Sequence, residues 1–343
     1  MSASSSPLAR IDLDRLLSPQ AQRCEEMEAL WRFLQAEDAK LPDQSRMSPA
    51  EQRIVRDQAA RRFDSDLEPV ASVTRVHAPG LAGAPEVVCD LVTPDDAQPG
   101  CVVYLHGGGW TFGSLVSHAR VSRALANETR TRVLAVDYRL APENPYPAPL
   151  DDAVAAWRYV VKRAGAEAGF DGPLAVAGDS AGANLGLAAI LREGEAGRRR
   201  PDMGLFFYGV WNCDFDTPSY SRFGAGYGLT RASMEKFLDF YAPGGDGPGA
   251  LRFEPFVSPM LASEATLARL PPIYLAAAGL DPLLCDSVDF ARKLEAAGAT
   301  FDLNVHEGLH HGFMQLSARL SEAKRAYGLM GDFFRREAGR RAG

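Results

Sequence analysis

The pentapeptide Gly-Asp-Ser-Ala-Gly at residues 178–182 constrains the fold of this chain more than any other feature. An apolar run at residues 173–177 precedes it, and a helix-like stretch at residues 184–191 follows it. This order predicts a strand, a tight turn and a helix, with the Ser180 hydroxyl at the positive end of the helix. Because the chain contains 32 glycines, the Gly-x-Ser-x-Gly motif alone is only suggestive, and its strand–helix context gives it weight.

A second glycine-rich loop also follows a predicted strand. The apolar residues 102–105 run directly into His106, Gly107, Gly108, Gly109 and Trp110. Backbone N–H groups preorganised around the oxyanion of a tetrahedral intermediate are worth roughly 3 to 4 kcal/mol each. We predict that Gly108 and Gly109 supply two such donors and that the N–H of Ala181 supplies a third. A phosphate-binding loop is the alternative, but the Gly-Lys-Ser/Thr ending and the Gly-x-Gly-x-x-Gly spacing are missing from this segment.

Two later segments supply an acid and a base. The apolar residues 272–278 predict a strand that ends just before Asp281, and residues 301–306 predict a shorter strand before His310 and His311. An acid and a histidine at strand ends can activate a serine together. Asp281 is the first choice for the acid, with Asp286 and Asp289 as nearby competitors. From the residues alone, His310 and His311 are both candidates for the base.

Four blocks of this chain resemble the hormone-sensitive-lipase group of α/β-hydrolases, the bacterial esterases and acetyl-hydrolases with an HGGG loop. The blocks are residues 106–110, residues 137–143, residues 178–185, and the pair 281–283 with 311–313, in the order that the family has. They extend over about residues 100–315. One departure is Ala183, where many members carry a further glycine. The family places its base directly before Gly-Phe, which implies His311 as the base.

The resemblance implies both a fold and an activity. The fold is an α/β-hydrolase fold, with a mostly parallel central sheet, helices on both faces and a helical cap. The activity is that of a serine carboxylesterase that hydrolyses short-chain esters, acetyl to butyryl, through an acyl-enzyme and a triad of Ser180, His311 and Asp281. An amidase or an N- or O-deacetylase is the alternative within enzymes. A non-catalytic small-molecule receptor fits less well, because the related plant receptors have lost the triad histidine that is present here.

Further residues have predicted supporting roles. We expect His106, Gly107 and Asp179 to support the glycine loop. Asp179 is not predicted to be the triad acid, because neighbouring residues on a turn point apart and Asp179, next to Ser180, cannot reach the far side of the histidine. Trp110 follows the loop directly, so it is predicted to narrow the substrate pocket and favour short acyl groups. Tyr227 is the aromatic residue of residues 212–260 that we expect to line the acyl pocket.

The alternation of apolar runs and helix-period segments independently favours an α/β architecture with a mostly parallel sheet. Strands are predicted at residues 70–77, 87–93, 102–105, 133–138, 173–177, 205–210, 272–278 and 301–306, and helices at residues 21–35, 49–63, 117–127, 151–164, 184–191, 284–297 and 314–336. The predicted domain organisation has an N-terminal helical cap segment at residues 1–65 and a catalytic domain formed by residues 66–211 and 261–343. Residues 212–260, which follow a strand's carboxyl end, are predicted to be a cap insertion over the site.

The composition limits the partners. A chain of 343 residues with 46% hydrophobic and 24% charged residues is typical of one globular catalytic domain with an added lid. A net charge of −7 disfavours nucleic acid or an anionic membrane as a partner, because both attract clustered positive charge. The arginine runs at residues 198–200 and 335–341 are predicted to be solvated. The expected partner is a small acyl ester, and the resemblance implies a homodimer through the last strand and helix.

The sequence predicts no cofactor and no bound metal. The six histidines lack metal-ligand spacing, and the five cysteines, Cys24, Cys89, Cys101, Cys213 and Cys285, form no Cys-x-x-Cys pair and are predicted to be reduced. The opening residues 1–7 lack the pattern of a signal peptide, and no apolar stretch reaches 18 residues. We therefore expect a cytoplasmic enzyme.

Overall fold

The computed structural model describes residues 6–342 of the chain and places a single eight-stranded sheet at the centre of that part. Residues 1–5 and 343 lie outside the described residues, and with them most of the opening segment and the first five positions of the predicted N-terminal cap segment. The strands are β1 (Ser72–Ala78), β2 (Val87–Thr93), β3 (Gln98–Leu105), β4 (Thr131–Asp137), β5 (Leu174–Asp179), β6 (Met203–Phe207), β7 (Ile273–Leu280) and β8 (Phe301–His310).

The sheet is mostly parallel, as predicted. Its strand order is β1-β2-β4-β3-β5-β6-β7-β8, and every pair from β4 to β8 is parallel. The first two strands differ, because β1 pairs antiparallel with β2 and β2 pairs antiparallel with β4. The carboxyl ends of β5, β7 and β8 therefore meet at one edge of the sheet, which brings three distant segments of the chain together.

Helices cover both faces of the sheet. The helices are α1 (Leu13–Leu16), α2 (Glu25–Asp38), α3 (Pro49–Ala60), α4 (Ala119–Thr129), α5 (Ala148–Ala164), α6 (Ala181–Glu195), α7 (Pro218–Phe223), α8 (Arg231–Tyr241), α9 (Glu264–Leu267), α10 (Leu284–Ala296) and α11 (Ser321–Ala342). Side chains alternate along a strand, so Val103 joins the core under α5, α6 and α10, whereas Val102 and Tyr104 join the core under α4 and α11. Among the helices that the structure describes, none combines the length and the apolar content needed to cross a lipid bilayer.

Two predicted boundaries near the C-terminus were wrong. Strand β8 continues four residues past position 306, because its pairing with β7 resumes beyond an irregularity and joins His310 to Leu280. The helix predicted at residues 314–336 begins only at Ser321, after a short 3₁₀ turn at Phe313–Leu316. The Glu26 carboxylate accepts hydrogen bonds from the N–H and the hydroxyl of Ser321, at 2.7 and 2.8 Å. An acid at this position stabilises the start of a helix.

Two segments lie outside the alternation of strands and helices. Residues 6–66, here called the N-terminal segment, contain α1, α2 and α3 and end in a 3₁₀ turn at Arg61–Asp66. Residues 212–260, here called the aromatic insertion, lie between β6 and β7 and contain α7 and α8. The five cysteines are all free in the structure.

Candidate active site

Ser180 lies at the sharp turn between β5 and α6. Its backbone has φ 55° and ψ −121°, a left-handed conformation that costs a non-glycine residue about 1 to 3 kcal/mol. The turn is possible because its neighbours are small: a Cβ on Gly182 would collide with the carbonyl oxygens of Leu105 and His106. The strained turn presents the Ser180 side chain at the carboxyl edge of the sheet, and the residue is only 5% exposed.

The structure brings His311 between Ser180 and Asp281. His311 Nε2 lies 2.8 Å from Ser180 Oγ, and His311 Nδ1 lies 2.7 Å from Asp281 Oδ2. Because an ionised carboxylate only accepts hydrogen bonds, the matching tautomer of His311 carries its proton on Nδ1 and accepts from the serine hydroxyl at Nε2. This arrangement suits activation of the hydroxyl as a nucleophile.

The three candidate acids occupy different environments. Asp281 is fully buried, and its Oδ1 accepts a hydrogen bond from the N–H of Leu283 at 3.0 Å, which leaves Oδ2 for His311. Asp286 is also buried, but its Oδ2 accepts from the N–H of Asn212 at 3.3 Å instead. Burial raises the pKa of Asp286 well above its usual range. Asp289 pairs with Arg292 at 2.7 Å on the surface. Of the three, Asp281 is the carboxylate in contact with the histidine.

The neighbouring histidine points elsewhere. His310 Nε2 accepts a hydrogen bond from Arg23 Nε at 2.6 Å, and its ring packs edge-on against Trp31 of the N-terminal segment. The His310 ring is 2% exposed, and burial lowers its pKa to about 4, with the Arg23 charge adding to the effect. The geometry therefore separates the two candidate bases: His311 contacts Ser180, and His310 contacts the N-terminal segment.

Asp179 holds the glycine loop in place. Its Oδ1 accepts hydrogen bonds from the Tyr104 hydroxyl at 2.6 Å and from the N–H of Gly107 at 2.9 Å. Burial raises the pKa of Asp179, and these two hydrogen bonds oppose that rise. A Cβ on Gly107 would lie 2.6 Å from Asp179 Oδ2, so this close approach requires glycine. The structure thus places Asp179 against Gly107, and the carboxylate that contacts the His311 ring is that of Asp281.

The glycine loop presents free donors. Within residues 6–342, the N–H groups of Gly108 and Gly109 donate to no protein acceptor, and the N–H of Ala181 lies in the first turn of α6, where no helical acceptor exists. Gly108 O accepts from the N–H of Phe112 at 2.8 Å and fixes the loop's curvature. Donors that are fixed but unused suit an oxyanion better than donors that must first be released from another partner.

His106 supports the loop through its ring. Its Nδ1 lies 2.8 Å from the carbonyl oxygen of Gly107, and its ring stacks on Tyr138 at a centroid distance of 4.3 Å. The Tyr138 hydroxyl donates to the carbonyl oxygen of His106 at 2.7 Å. Burial lowers the pKa of His106 to about 3, so the ring is neutral at physiological pH. A neutral, stacked imidazole fits a positioning role rather than proton transfer.

A cavity of about 540 Å³ opens beside Gly108 and His311. Its walls come mainly from the N-terminal segment and from residues 112–120, so the segment contributes more of the lining than the aromatic insertion. Neither Trp110 nor Tyr227 is part of this lining. Trp110 is fully buried and stacks on Tyr241 at 4.4 Å, because the aromatic insertion packs directly against it. Tyr227 packs against Arg23, with the guanidinium 5.0 Å from its ring centroid.

Two arginines that attach the N-terminal segment to the site were missed in the sequence. Arg23 joins His310 to the carbonyl oxygen of Gly226, to which it donates at 2.6 Å. Arg53 donates to the carbonyl oxygens of Thr111 and Ala141, at 2.7 Å each, and pairs with Glu143 at 2.7 Å. Each arginine bridges segments more than 50 residues apart. The only related signal in the sequence is the unusual run Arg-Leu-Ala-Pro-Glu at residues 139–143, which contains two of the residues that Arg53 contacts, Ala141 and Glu143.

Comparison with known proteins agrees with the fold. Residues 102–315 match a family model described as alpha/beta hydrolase fold. Among curated relatives, the Carboxylesterase NlhH of Mycobacterium tuberculosis is 36% identical over 66% of this chain and 70% of its own length. The Ethyl acetate hydrolase of Pseudomonas putida is 35% identical over 78% of this chain and 86% of its own length.

Solved structures extend the likeness to nearly the whole chain. An ester hydrolase from the metagenome of Lake Arreo superposes with a TM-score of 0.81 at 30% sequence identity, covering 91% of this chain and 98% of that protein. Residues 102–315, which match the family model, include the serine turn, the glycine loop, Asp281 and His311. The chain therefore belongs to the α/β-hydrolase fold family and, within it, to the hormone-sensitive-lipase-like group of carboxylic ester hydrolases.

Proposed function

We propose that this chain is a serine carboxylesterase that hydrolyses short-chain acyl esters, from acetyl to butyryl, with Ser180 as nucleophile, His311 as general base and Asp281 as the orienting acid. The observation that carries the proposal is the position of the His311 ring, which lies 2.8 Å from Ser180 Oγ and 2.7 Å from Asp281 Oδ2. These distances match the hydrogen-bond reach that a nucleophile and its base require.

The chemistry follows from the two ends of the imidazole. As Ser180 Oγ attacks the ester carbonyl, His311 Nε2 takes the hydroxyl proton and Asp281 stabilises the resulting imidazolium. His311 then donates that proton to the departing alkoxide, which leaves as the alcohol, and the acyl group stays on Ser180. Water repeats the same steps on the acyl-enzyme, releases the carboxylic acid and restores the serine.

The oxyanion hole is formed by the N–H groups of Gly108, Gly109 and Ala181. Their positions are supported by Asp179, which anchors Gly107, and by the start of α6, whose partial positive charge favours an anion at its N-terminus. Since these donors are already oriented in the resting protein, little reorganisation is needed when the tetrahedral intermediate forms.

The N-terminal segment and the aromatic insertion form a cap over this site. They contact each other through Arg23, and both touch the glycine loop region: Arg53 binds the carbonyl oxygen of Thr111, and Phe237 packs edge-on against Phe112 at 5.8 Å. We propose that this cap selects the substrate. The relative named as an ethyl acetate hydrolase supports the preference for short acyl groups.

We also propose a homodimer that pairs through β8. The support is topological, because β8 is the last strand of the sheet order and is paired on one side only, with β7. Light scattering after size-exclusion chromatography tests this: a mass near twice 37.1 kDa supports pairing, and a monomer at high micromolar concentration rejects it.

The function itself is tested by initial rates on p-nitrophenyl esters from acetate to decanoate, with Ser180→Ala measured in parallel. We expect the highest kcat/KM on acetate to butyrate and a loss of about 10,000-fold or more in Ser180→Ala. Equal rates on long and short esters would reject the short-chain preference. Wild-type protein that is inert on the whole series would reject the esterase, and p-nitroanilide amides would then test the amidase alternative.

A further inference from the structure

The glycine loop contains a strained turn. Three successive residues, Gly108, Gly109 and Trp110, have positive φ, at 116°, 60° and 54°. Glycine adopts such values readily, but tryptophan does not, because its Cβ crowds the backbone there. A non-glycine residue keeps this conformation only where its surroundings hold it in place. The donors proposed for the oxyanion hole, the N–H groups of Gly108 and Gly109, therefore depend on the contacts that fix the backbone at Trp110.

Two backbone segments that fix this turn are joined by Arg53 of α3. The N–H of Ala141 donates to the carbonyl oxygen of Trp110 at 2.9 Å. Arg53 Nη2 donates to the carbonyl oxygen of Ala141, and Arg53 Nε donates to the carbonyl oxygen of Thr111, each at 2.7 Å. One guanidinium therefore holds both the residue that follows Trp110 and the residue that is bonded to it.

The Arg53 side chain is committed to these protein contacts. Its Nη1 and Nη2 also donate to the Glu143 carboxylate, at 3.1 and 2.7 Å, so the guanidinium makes four hydrogen bonds in a fixed fork. The Arg53 side chain is 21% exposed, and it is not part of the lining of the cavity beside His311. These contacts suit a side chain that fixes backbone rather than one that holds a ligand.

Helix α3 contacts the end of the glycine loop at two further points. The Arg56 guanidinium lies 4.0 Å from the centroid of the Phe112 ring, and Asp57 accepts a hydrogen bond from the Ser114 hydroxyl at 2.7 Å. Both residues lie three to four positions after Arg53, so the three side chains share one face of the helix. That face of α3 lies along the end of the loop.

The start of α3 is stabilised by its own residues. The Ser48 hydroxyl accepts from the N–H of Glu51 at 3.3 Å, and the Glu51 carboxylate accepts from the N–H of Ser48 at 2.7 Å. This capping box, with Pro49 at the start of the helix, defines the first turn. Arg53 follows in the next turn, so a well-defined helix carries it to the loop.

We propose that Arg53 is a positioning residue of the esterase, which fixes the strained turn at Trp110 and so orients the oxyanion donors of the glycine loop. This inference rests on the proposed function and extends it, because it makes the N-terminal segment a determinant of the rate of the chemical step as well as of the choice of substrate. Interactions that act in the transition state alone raise kcat and leave KM nearly unchanged.

Steady-state kinetics on p-nitrophenyl butyrate test this with matched variants of the intact protein. Arg53→Met removes both bonds to carbonyl oxygens and should lower kcat about tenfold or more, with KM within about twofold of wild type. Glu143→Gln removes the charge of the ion pair but keeps both carbonyl bonds, so its kcat should stay within about twofold. An unchanged kcat in Arg53→Met, or an equal loss in Glu143→Gln, would overturn the proposal.

Arg23→Met separates the Arg53 bonds from attachment of the N-terminal segment as a whole. Arg23 holds the segment at His310 and Gly226 and, within residues 6–342, forms no hydrogen bond to the glycine loop. We expect Arg23→Met to change KM and Tm and to lower kcat less than Arg53→Met does. An equal loss of kcat in the two variants would mean that attachment of the segment sets the rate, which would overturn the role of Arg53.

Arg53→Lys keeps the test informative if Arg53→Met fails to fold. Lysine keeps the positive charge beside Glu143 but lacks the planar fork that reaches two carbonyl oxygens at once. Its kcat should fall about threefold or more, with KM close to that of wild type. Full wild-type kcat in Arg53→Lys would assign the effect to charge alone and contradict the clamp.

Inhibition by butylboronic acid gives a readout that a purely structural role would not move. The boron bonds to the Ser180 oxygen, His311 takes the hydroxyl proton, and the tetrahedral anion places an oxygen in the oxyanion hole. Its Ki should rise about tenfold in Arg53→Met, in step with the loss of kcat. A smaller folded fraction would lower the rate without changing Ki, so an unchanged Ki would contradict the proposal.

Failure of this inference differs from failure of the esterase. If the wild type hydrolyses p-nitrophenyl butyrate and Arg53→Met matches it in kcat and in Ki, the positioning role is rejected and the esterase stands. If the wild type hydrolyses none of the p-nitrophenyl esters, the esterase is rejected, and the role of Arg53 is rejected with it.

Discussion

His310 and His311 are adjacent in the chain, yet their rings serve opposite sides of the site. The His311 ring joins Ser180 to Asp281, and the His310 ring accepts a hydrogen bond from Arg23 of the N-terminal segment. The separation arises because β8 extends to His310, and successive side chains of a strand point to opposite faces, before Gly312 turns the chain with φ 81°. One strand end thus contacts both Ser180, at the carboxyl edge of the sheet, and the N-terminal segment.

The two histidines should therefore differ sharply on substitution. His311→Gln removes the base and should lower kcat by about 10,000-fold with little change in Tm. His310→Gln leaves the base in place but removes the imidazole acceptor of Arg23, so kcat should fall less than about tenfold while KM and Tm change. Steady-state kinetics and thermal unfolding on both variants check this. If His310→Gln lowered kcat more than His311→Gln did, His310 rather than His311 would be the base.

Asp281 and Asp286 provide a second matched pair. Asp281→Asn should lower kcat by about 10,000-fold, because the amide stabilises the wrong tautomer of His311 and not its imidazolium. Asp286→Asn should leave kcat within about threefold, since Asp286 Oδ2 contacts the N–H of Asn212 and not the histidine. Measurement of kcat on p-nitrophenyl butyrate separates them, and comparable losses in both variants would argue against Asp281 as the orienting acid.

Asp286 also makes a pH-dependent contribution to stability. Burial raises the folded pKa of the Asp286 carboxyl well above its usual value of 3.8, so the folded state holds the proton more tightly than the unfolded state. Stability associated with this group is complete below pH 3.8 and is lost as the pH rises through the folded pKa. Asp286→Asn should raise Tm more at pH 8 than at pH 4. An equal shift at both pH values would mean that the carboxyl is ionised in the folded protein.

The glycine loop depends on Asp179. Tyr104→Phe removes the hydroxyl that donates to Asp179 Oδ1 at 2.6 Å, which loosens the carboxylate that anchors Gly107. We expect kcat to fall about tenfold with KM nearly unchanged, because the oxyanion donors act mainly in the transition state. Tyr274→Phe is the control, since its hydroxyl contacts the carbonyl oxygen of Ala326 at 3.4 Å, under α11. A change confined to KM would contradict a role in the oxyanion hole.

Buried histidines should make the protein sensitive to acid. Burial lowers the pKa of His106 to about 3 and that of His118 to about 4, below the unfolded value of 6.5. The unfolded state therefore binds more protons between these values, so stability is present above pH 6.5 and is lost as the pH falls toward 4. Tm should decline over that window, and His118→Gln, which can still bond Gln315, should decline less. If the Tm of His118→Gln fell with pH as steeply as the Tm of the wild type, other groups would account for the acid sensitivity.

The sequence predicted the parallel core and all eight strands of the described sheet, because the central strands are short apolar runs and the outer strands β1 and β8 alternate polar and apolar residues. It also placed Ser180, Asp281 and His311 at strand ends, since parallel strands bring their carboxyl ends to one edge. Choosing between Asp281, Asp286 and Asp289 needed the direction of each side chain, which spacing does not contain. The late start of α11 depended on Glu26, nearly 300 residues away.

Sequence reasoning did not foresee which residues line the cavity beside His311. Trp110 is predicted to narrow the substrate pocket; in the structure it stacks on Tyr241 of the aromatic insertion, and the wall of the cavity beside His311 comes mainly from the N-terminal segment and residues 112–120. Arg120 gave no signal either, because an arginine in a helix is typical of a solvated surface. Arg120 is buried in the assembled fold, in which α11 packs against α4, and such contacts between distant segments are not visible in the local sequence.

Covalent labelling of Ser180 tests the central claim most directly. Diethyl p-nitrophenyl phosphate should modify the wild type with one diethylphosphoryl group, seen by intact mass and mapped to the peptide that contains residue 180, in step with the loss of esterase activity. Labelling should be absent in Ser180→Ala and at least about 1,000-fold slower in His311→Gln, because the serine then lacks its base. Inactivation without modification of Ser180, or full activity in Ser180→Ala, would contradict the proposed mechanism.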